Sequence, residues 1–409
     1  MDIVITRCGA LDVHKATVVA TVRVPGEDGG RRVITATFGT MTPDLIALRE
    51  WLQAYGVTHV ALESTGVYWK PVYYVLEDAF ELLLINMREL KRVPGRKTDV
   101  QDSEWLAQLL ECGLLRSSFV PPPPIRELRD LTRYRVQQTR DRSQEVNRLQ
   151  KVLEDAGVKL TSVLTDVMGV SGRAMVEALV AGTTDPQVLA DLARGQLRKK
   201  LPALQRALVG RFRPVHAFLL EQILAKIDYL DEALERLTAE IDRRVAPFAA
   251  MLTALDTIPG IDRIGAVSLV AETGGDMTRF PSAAHLCSWA GMCPGHDESA
   301  GKRRSGQTRK ANRYLRSTLI QAGAAASRKN DSALQARYRR VKRHRGHKKA
   351  VVATGHQILE IAYYVMRDGV TYQELGATYF ERRDRERTVH RHVKHLEALG
   401  YTVTVQPAA

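Results

Sequence analysis

Cysteine is scarce in this chain, and the few cysteines present do not cluster. Cys8, Cys112, Cys287 and Cys293 are the only four in 409 residues, and they form no CxxC pair and no Cys/His run. That pattern argues against a disulfide framework and a structural zinc site and fits a reducing compartment. Long apolar runs are missing too, since no stretch approaches the ~20 residues needed to span a bilayer. The opening MDIVITRCGALDVHK has no hydrophobic signal core, so the protein is expected to stay in the cytoplasm with no membrane partner. Acid is short relative to base. The 46 Asp and Glu residues face 60 Lys and Arg, leaving a formal charge of +14. Such an excess suits a polyanion, because each phosphate met by Lys or Arg releases a condensed counterion.

What is present is ordinary globular composition, with 44% apolar and 26% charged residues, and a length sufficient for two or three domains. The first stretch reads as strands at 6–13, 17–24 and 33–39, a helix at 43–55, a strand at 57–63 and a helix at 67–79. A strand at 81–86 and a helix at 99–112 follow. Three strands and then alternating helix and strand predict a mixed α/β sheet. The run PPPP at 121–124 cannot continue a helix and marks a stiff boundary. Beyond it, 125–155 and the segment to about 215 read as helical, with weak breaks at Gly169, Gly172, Gly182 and Pro186.

Leu220, Ile223, Ile227, Leu230, Leu234, Leu237 and Ile241 then step alternately by three and four, an apolar heptad seam ended by Pro247. The charged residues between them favour a coiled coil with another chain over a helix docked in its own core. In LDTIPGIDRIGAVSLV (255–270), Gly260 and Gly265 bracket a short turn between helices, the pattern of a helix-hairpin-helix whose amides hold a phosphate. From 301 to 349 the chain is intensely basic.

Two constellations carry chemistry. Asp12 ends the first strand, Glu63 ends a later one, and Asp99 and Asp102 lie three apart on one helix face in KTDVQDSEWLAQLL. Mg²⁺ or Mn²⁺ takes oxygen ligands, and metal-assisted phosphoryl transfer needs carboxylates of this kind. Singly, each acid has a structural explanation as a turn acid, a strand-end group or a helix N-terminal charge. Together, their order along the chain makes convergence at one sheet edge the stronger reading. The second constellation is PGHDESAGKRRSGQTRKANRYLR (294–316). Ser299 there is bracketed by glycines and followed by Lys302, Arg303 and Arg304, with Arg309, Lys310, Arg313 and Arg316 further on. A serine attacking a phosphodiester needs nearby cations for the charge of the transition state. Ser305 competes for the role within the same loop.

Over nearly its whole length the chain resembles the DEDD transposases of the bacterial insertion sequence 110 family, the bridge-RNA-guided recombinases. LDVHK, ALESTG and KTDVQDSEWLAQLL are similar to the family's N-terminal domain. IPGIDRIGAVSLVAETGGDMTRFPSAAHLCSWAGMCPG and ESAGKRRSGQTRKANRYLR are similar to its C-terminal domain, and YVMRDGVTYQELGATYFERRD to its tail. The resemblance implies a ribonuclease-H-like (resolvase-like) α/β domain over 1–160, a helical coiled-coil region over 161–248 and a mainly α transposase domain over 249–409. By the same likeness Asp12, Glu63, Asp99 and Asp102 bind Mg²⁺ or Mn²⁺, and Ser299 forms a covalent phosphoserine link to DNA. Donor and target DNA, a bridge RNA and further copies of the chain, up to a tetramer, are the implied partners. The serine and carboxylate sites are expected to work together across subunits, in a cytoplasmic protein held at the nucleoid. Two alternatives stand beside this reading: a metal-only nuclease or resolvase in which water attacks, and a non-catalytic nucleic-acid-binding protein.

Overall fold

The computed structural model describes residues 3–27, 29–63, 66–86, 99–295, 297–299, 302–379 and 385–406. The chain divides into two compact units between Pro121 and Pro122, inside the proline run.

The first unit is built on a five-stranded sheet. Its strands are β1 (Cys8–Val13), β2 (Thr17–Pro25), β3 (Arg31–Gly39), β4 (His59–Glu63) and β5 (Glu81–Ile85), in the order β3-β2-β1-β4-β5. β1, β2 and β3 pair antiparallel, and β1, β4 and β5 pair parallel, so the sheet is mixed as expected and compatible with a ribonuclease-H-like start. The helices are α1 (Thr42–Ala54), α2 (Trp69–Leu76) and α3 (Asp99–Glu111). Strand periodicity sorts the faces. Leu11, Val13, Val60 and Leu62 pack with Leu45, Leu48, Val72 and Leu76 of α1 and α2. Cys8, Ala10 and Ala61 point the other way, into a cluster with Leu106, Ala107 and Leu110 of α3.

In the second unit, α4 (Pro123–Asp155) and α8 (Pro214–Arg244) form an antiparallel hairpin. Its direction follows from the cross-links, because Arg244 meets Glu127, Arg135 meets Thr238, Arg142 meets Asp231, and Asp155 meets His216. The apolar seam of α8 therefore lies within its own chain. Leu220, Ile227, Leu230 and Ile241 are buried, while Ile223, Leu234 and Leu237 are half-buried. Docking along a neighbouring helix of the same chain is the arrangement that the heptad pattern ranked second.

Between the arms lie α5 (Val170–Val180), α6 (Pro186–Asp191) and α7 (Leu201–Leu208), sharing a core with Leu149, Leu153, Leu220 and Leu224. Gly169 is the cap residue of α5 and Pro186 opens α6, as breaks would. Gly172 instead sits inside α5, where a Cβ would collide with the Val167 carbonyl.

The other end of the hairpin enters the largest core, where Leu128, Ile241 and Val245 meet the C-terminal helices. These are α9 (Ala249–Asp256), α10 (Arg263–Thr273), α11 (Ala283–Trp289), α12 (Arg313–Ala326) and α13 (Ala333–Asp368). A short hairpin of β6 (Asp297–Ser299) and β7 (Lys302–Ser305) precedes α12, and α14 (Arg385–Ala398) follows α13. No helix among the described residues is long and apolar enough to cross a membrane, and all four cysteines are free.

Candidate functional site

In the first unit, register decides which acids meet. Leu11 pairs with Leu62 across the parallel β1/β4 ladder, so the next residues, Asp12 and Glu63, close the same end of adjacent strands. Both share the parity of Ala10 and Ala61 and so belong to the face that α3 covers. Helix α3 runs antiparallel to β1. Its C-terminal Glu111 carbonyl accepts from the Val4 and Ile5 amides before β1, and the Cys8 thiol donates to the Ala107 carbonyl one turn earlier. Its first turn, with Asp99 and Asp102, is therefore the end farther from the start of β1.

Two devices hold that helix in place. Ser103 Oγ and Thr21 Oγ1, both fully buried, are 2.8 Å apart, and Thr21 in turn meets Thr35 at 2.9 Å. At the far end, Glu111 is buried between Arg23, at 3.0 Å, and Arg31. Burial also pushes the Cys8 thiol up to about 11, which leaves it a protonated packing group.

Asp12 is 7% exposed and lies 3.3 Å from His14 Nε2. Glu63 and Asp102 are half-buried, and the Asp99 side chain lies outside the described residues. Among the described residues no three His, Cys, Asp or Glu side chains stand ready as a metal site. By donor type, carboxylate oxygens are the ligands a hard divalent cation takes.

In the second unit, Ser299 pairs with Lys302 at the closed end of the β6/β7 hairpin, whereas Ser305 pairs with Asp297 at its open end. A register shift falls between Asp297 and Glu298. The two serines thus occupy opposite ends of one small ribbon. The side chains of Ser299, Lys302, Arg303, Arg304 and Ser305 lie outside the described residues.

The hairpin's root is well defined. Pro294 bridges to Thr308, and the Gly295 amide donates to the Gln307 carbonyl at 2.8 Å. Arg316 Nη1 donates to the Gly291 carbonyl at 3.0 Å and to Thr308 Oγ1 at 2.5 Å. Arg309 Nη2 donates to Ser288 Oγ at 3.0 Å. Arg313 lies 4.8 Å from the Tyr314 ring, and Lys310 is exposed. Of the cations expected to meet nucleic acid, Arg316 and Arg309 already brace the loop.

The sequence reading missed Glu272. It is 1% exposed in α10 and accepts from Nε and Nη2 of Arg133, at 2.8 and 2.7 Å. Asn312 Nδ2 donates to the same carboxylate at 2.5 Å, while Asn312 Oδ1 caps α12. Arg129 donates to the Ala271 and Glu272 carbonyls. Burial pulls the Arg129 guanidinium down to about 10, whereas Arg133, also pulled down by burial, is held up by the Glu272 hydrogen bond. This network ties α4 to the residue that starts α12, directly after the serine hairpin. An acid inside the apolar run VSLVAET was the signal that could have found it.

The expected helix-hairpin-helix has its two helices, α9 and α10. Gly260, at φ +91°, is pressed against the Ala322 carbonyl of α12, where a Cβ would collide. The Gly265 amide donates to Asp262 Oδ1 at 2.7 Å, so one of the turn's amides is already taken.

Comparisons with known proteins match segments of both units. Residues 9–157 match a family model described as Transposase, for the DEDD transposases of IS110. Residues 252–339 match one described as Transposase IS116/IS110/IS902 family. An insertion element IS110 uncharacterized 43.6 kDa protein of Streptomyces coelicolor is 34% identical over 131 residues, 31% of each chain. An insertion element IS900 uncharacterized 42 kDa protein of Mycobacterium paratuberculosis is 32% identical over 126 residues, 30% of this chain and 31% of that one. The chain thus spans about a third of the length of the curated relatives it matches. It belongs to the IS110 family of transposases.

Proposed function

We propose that this chain cuts and rejoins the DNA of an insertion sequence through a serine-linked intermediate, with a divalent cation held by Asp12, Glu63, Asp99 and Asp102. The single observation that supports this most is the β1/β4 register, which sets Asp12 and Glu63 at the same end of adjacent strands. Catalysis of phosphoryl transfer needs anionic ligands concentrated at one point, and a strand edge concentrates them without long side chains. A bound Mg²⁺ or Mn²⁺ would supply neutralising charge for the phosphate oxygens at that edge.

The serine step balances simply. Ser299 Oγ attacks phosphorus and gives up its proton, one phosphodiester P–O bond breaks, and the released strand leaves with a hydroxyl end. The phosphoserine ester keeps the bond energy, so the hydroxyl of another strand reverses the step and frees Ser299. Lys302, Arg303 and Arg304 follow Ser299 around the hairpin and are suited to the developing charge. A structured RNA that pairs with donor and target DNA, and a homo-oligomeric assembly, complete the proposal.

The test is Ser299→Ala. It removes the attacking oxygen, so cleavage should vanish while DNA and RNA binding persist. Wild-type protein trapped on a nicked substrate should carry a denaturant-resistant DNA adduct mapping to Ser299. Ser305→Ala should stay active. Efficient cleavage by Ser299→Ala without any adduct would establish the metal-only reading, in which water attacks.

A further inference from the structure

The first part of α13 is a concentrated source of charge that the serine mechanism does not use. No Asp or Glu occurs between Asp331 and Glu360, while Arg339, Arg340, Lys342, Arg343 and Arg345 fall within seven residues. All five are exposed, as are Lys348 and Lys349 beyond the bend. Among the described residues, Arg339, Arg343, Arg345, Lys348 and Lys349 form no ion pair with an acid. The helix is interrupted at Gly346, whose φ of 76° and ψ of 171° are not helical. Tyr338 and Val341 pack against Val351 across that bend, and Tyr338 Oη meets His347 Nδ1 at 2.7 Å. The basic turns are therefore propped on the core at one side.

We propose that residues 339–349 form a second nucleic-acid contact, separate from the serine hairpin, and that its occupant is double-helical DNA entered at the major groove. The proposal rests on the DNA reading above. At about 100° per residue, the five cations of the helical turns cover about 220° of the circumference and leave the Val341 side for packing. A helix lying on a flat polyanion uses one face. Cations on both flanks suit a helix between two phosphate walls, and the major groove of B-form DNA admits a helix where the deep, narrow groove of duplex RNA does not. The segment 339–349 contains no Phe, Tyr or Trp, so it lacks the large stacking platforms on which single strands are held.

The experiment measures binding of the full chain by fluorescence anisotropy against salt, using a B-form DNA duplex, an RNA duplex and a DNA single strand of equal length. The variant is Arg339→Ala/Arg343→Ala/Arg345→Ala, with a thermal melt to show that it folds. Every phosphate that the variant no longer neutralises should flatten the slope of log affinity against log salt by about 0.9 for B-form DNA, so a drop of roughly 2–3 is expected. The RNA duplex and single strand should change little. Charge reversal at the same positions should abolish duplex DNA binding at moderate salt. An unchanged slope on DNA, or an equal or larger change on either RNA or single strand, overturns the proposal. Cleavage and adduct formation by wild-type protein report on the serine reading by themselves, so the two ideas fail separately.

Discussion

The two units solve the positioning of the proposed reactive groups in opposite ways. In the first, backbone does the work: Asp12 and Glu63 are neighbours because parallel strands pair in a fixed register, and α3 is laid on the sheet by apolar contacts and the Thr21–Ser103 pair. In the second, side chains do it. The Ser299 hairpin has only short strands, and its root is held by Arg316, Arg309 and a bridge at Pro294, with the Glu272 network behind. A site made of backbone register tolerates local substitution, because a strand slip would invert every face at once. A site braced by charged hydrogen bonds depends on single residues.

The sharpest break in that comparison is expected at Glu272. Glu272→Ala leaves Arg129 and Arg133 without their carboxylate in the interior, at a cost of about 3–5 kcal/mol, a large fraction of a domain's stability. Calorimetry should show the second unit's transition lost or strongly lowered. An unchanged melt means the hairpin's support lies elsewhere.

Next comes the α8 seam. Leu230→Asp places a charge against α4 and should unfold the protomer by several kcal/mol. Tyr229 and Phe218 are about 60% exposed, and their change to Asp should move stability by less than about 0.5 kcal/mol. Light scattering beside the melts separates the cases. Loss of mass with a folded Leu230→Asp protomer would mean that the seam joins chains after all.

Smaller in stability, but large in activity, is the carboxylate edge. Asp102→Ala should lower cleavage by ~10²–10³-fold, the scale for removing a transition-state charge stabiliser. Its melt should hold or rise, because gathered carboxylates repel without a cation. Thr21→Val with Ser103→Ala should cost about 1 kcal/mol and still slow cleavage, since the first turn of α3 shifts. Single-turnover rates measured with melting temperatures test both, and full activity in Asp102→Ala would remove that acid from the mechanism.

The smallest effect belongs to pH. Burial holds His356 below its usual value, against the pull of Glu360 3.7 Å away. The folded chain therefore binds this proton less readily than the unfolded chain. Its contribution to stability is present above about pH 6.5 and is lost as pH falls toward the lowered folded value. The His356→Gln melting temperature should depend less on pH between 7 and 5 than that of wild type.

Much of this architecture was legible from local pattern. All five strands of the first unit and the three helices on its faces lie close to their expected positions, because alternation and helical periodicity report directly on which side is buried. Asp12 and Glu63 were readable as strand ends, and register then made them neighbours. The seam of α8 was also legible, but not what covers it: a heptad states that a helix has an apolar partner without naming the chain that supplies it. The Glu272 network was illegible for a related reason. Its members are spread over α4, α10 and the start of α12, and only tertiary packing brings Arg133 and Asn312 to one carboxylate. Arg316 shows the same limit, since a basic residue in a basic loop reads as a phosphate contact until its carbonyl partner is visible.

The antiparallel pairing of α4 and α8 also works as a ruler. One end of this hairpin is set in the C-terminal core at Leu128 and Ile241, and the other in the small core around Leu153 and Leu220. At 1.5 Å per residue, the 25 positions from Leu128 to Leu153 hold those two cores roughly 38 Å apart. The small helical module is thus kept at a set span from the C-terminal core. Because the seam repeats every seven residues, adding or deleting one heptad in both arms would change that span by about 10 Å with little rotation of the module. Evolution can alter the reach of such an arm without redesigning either end.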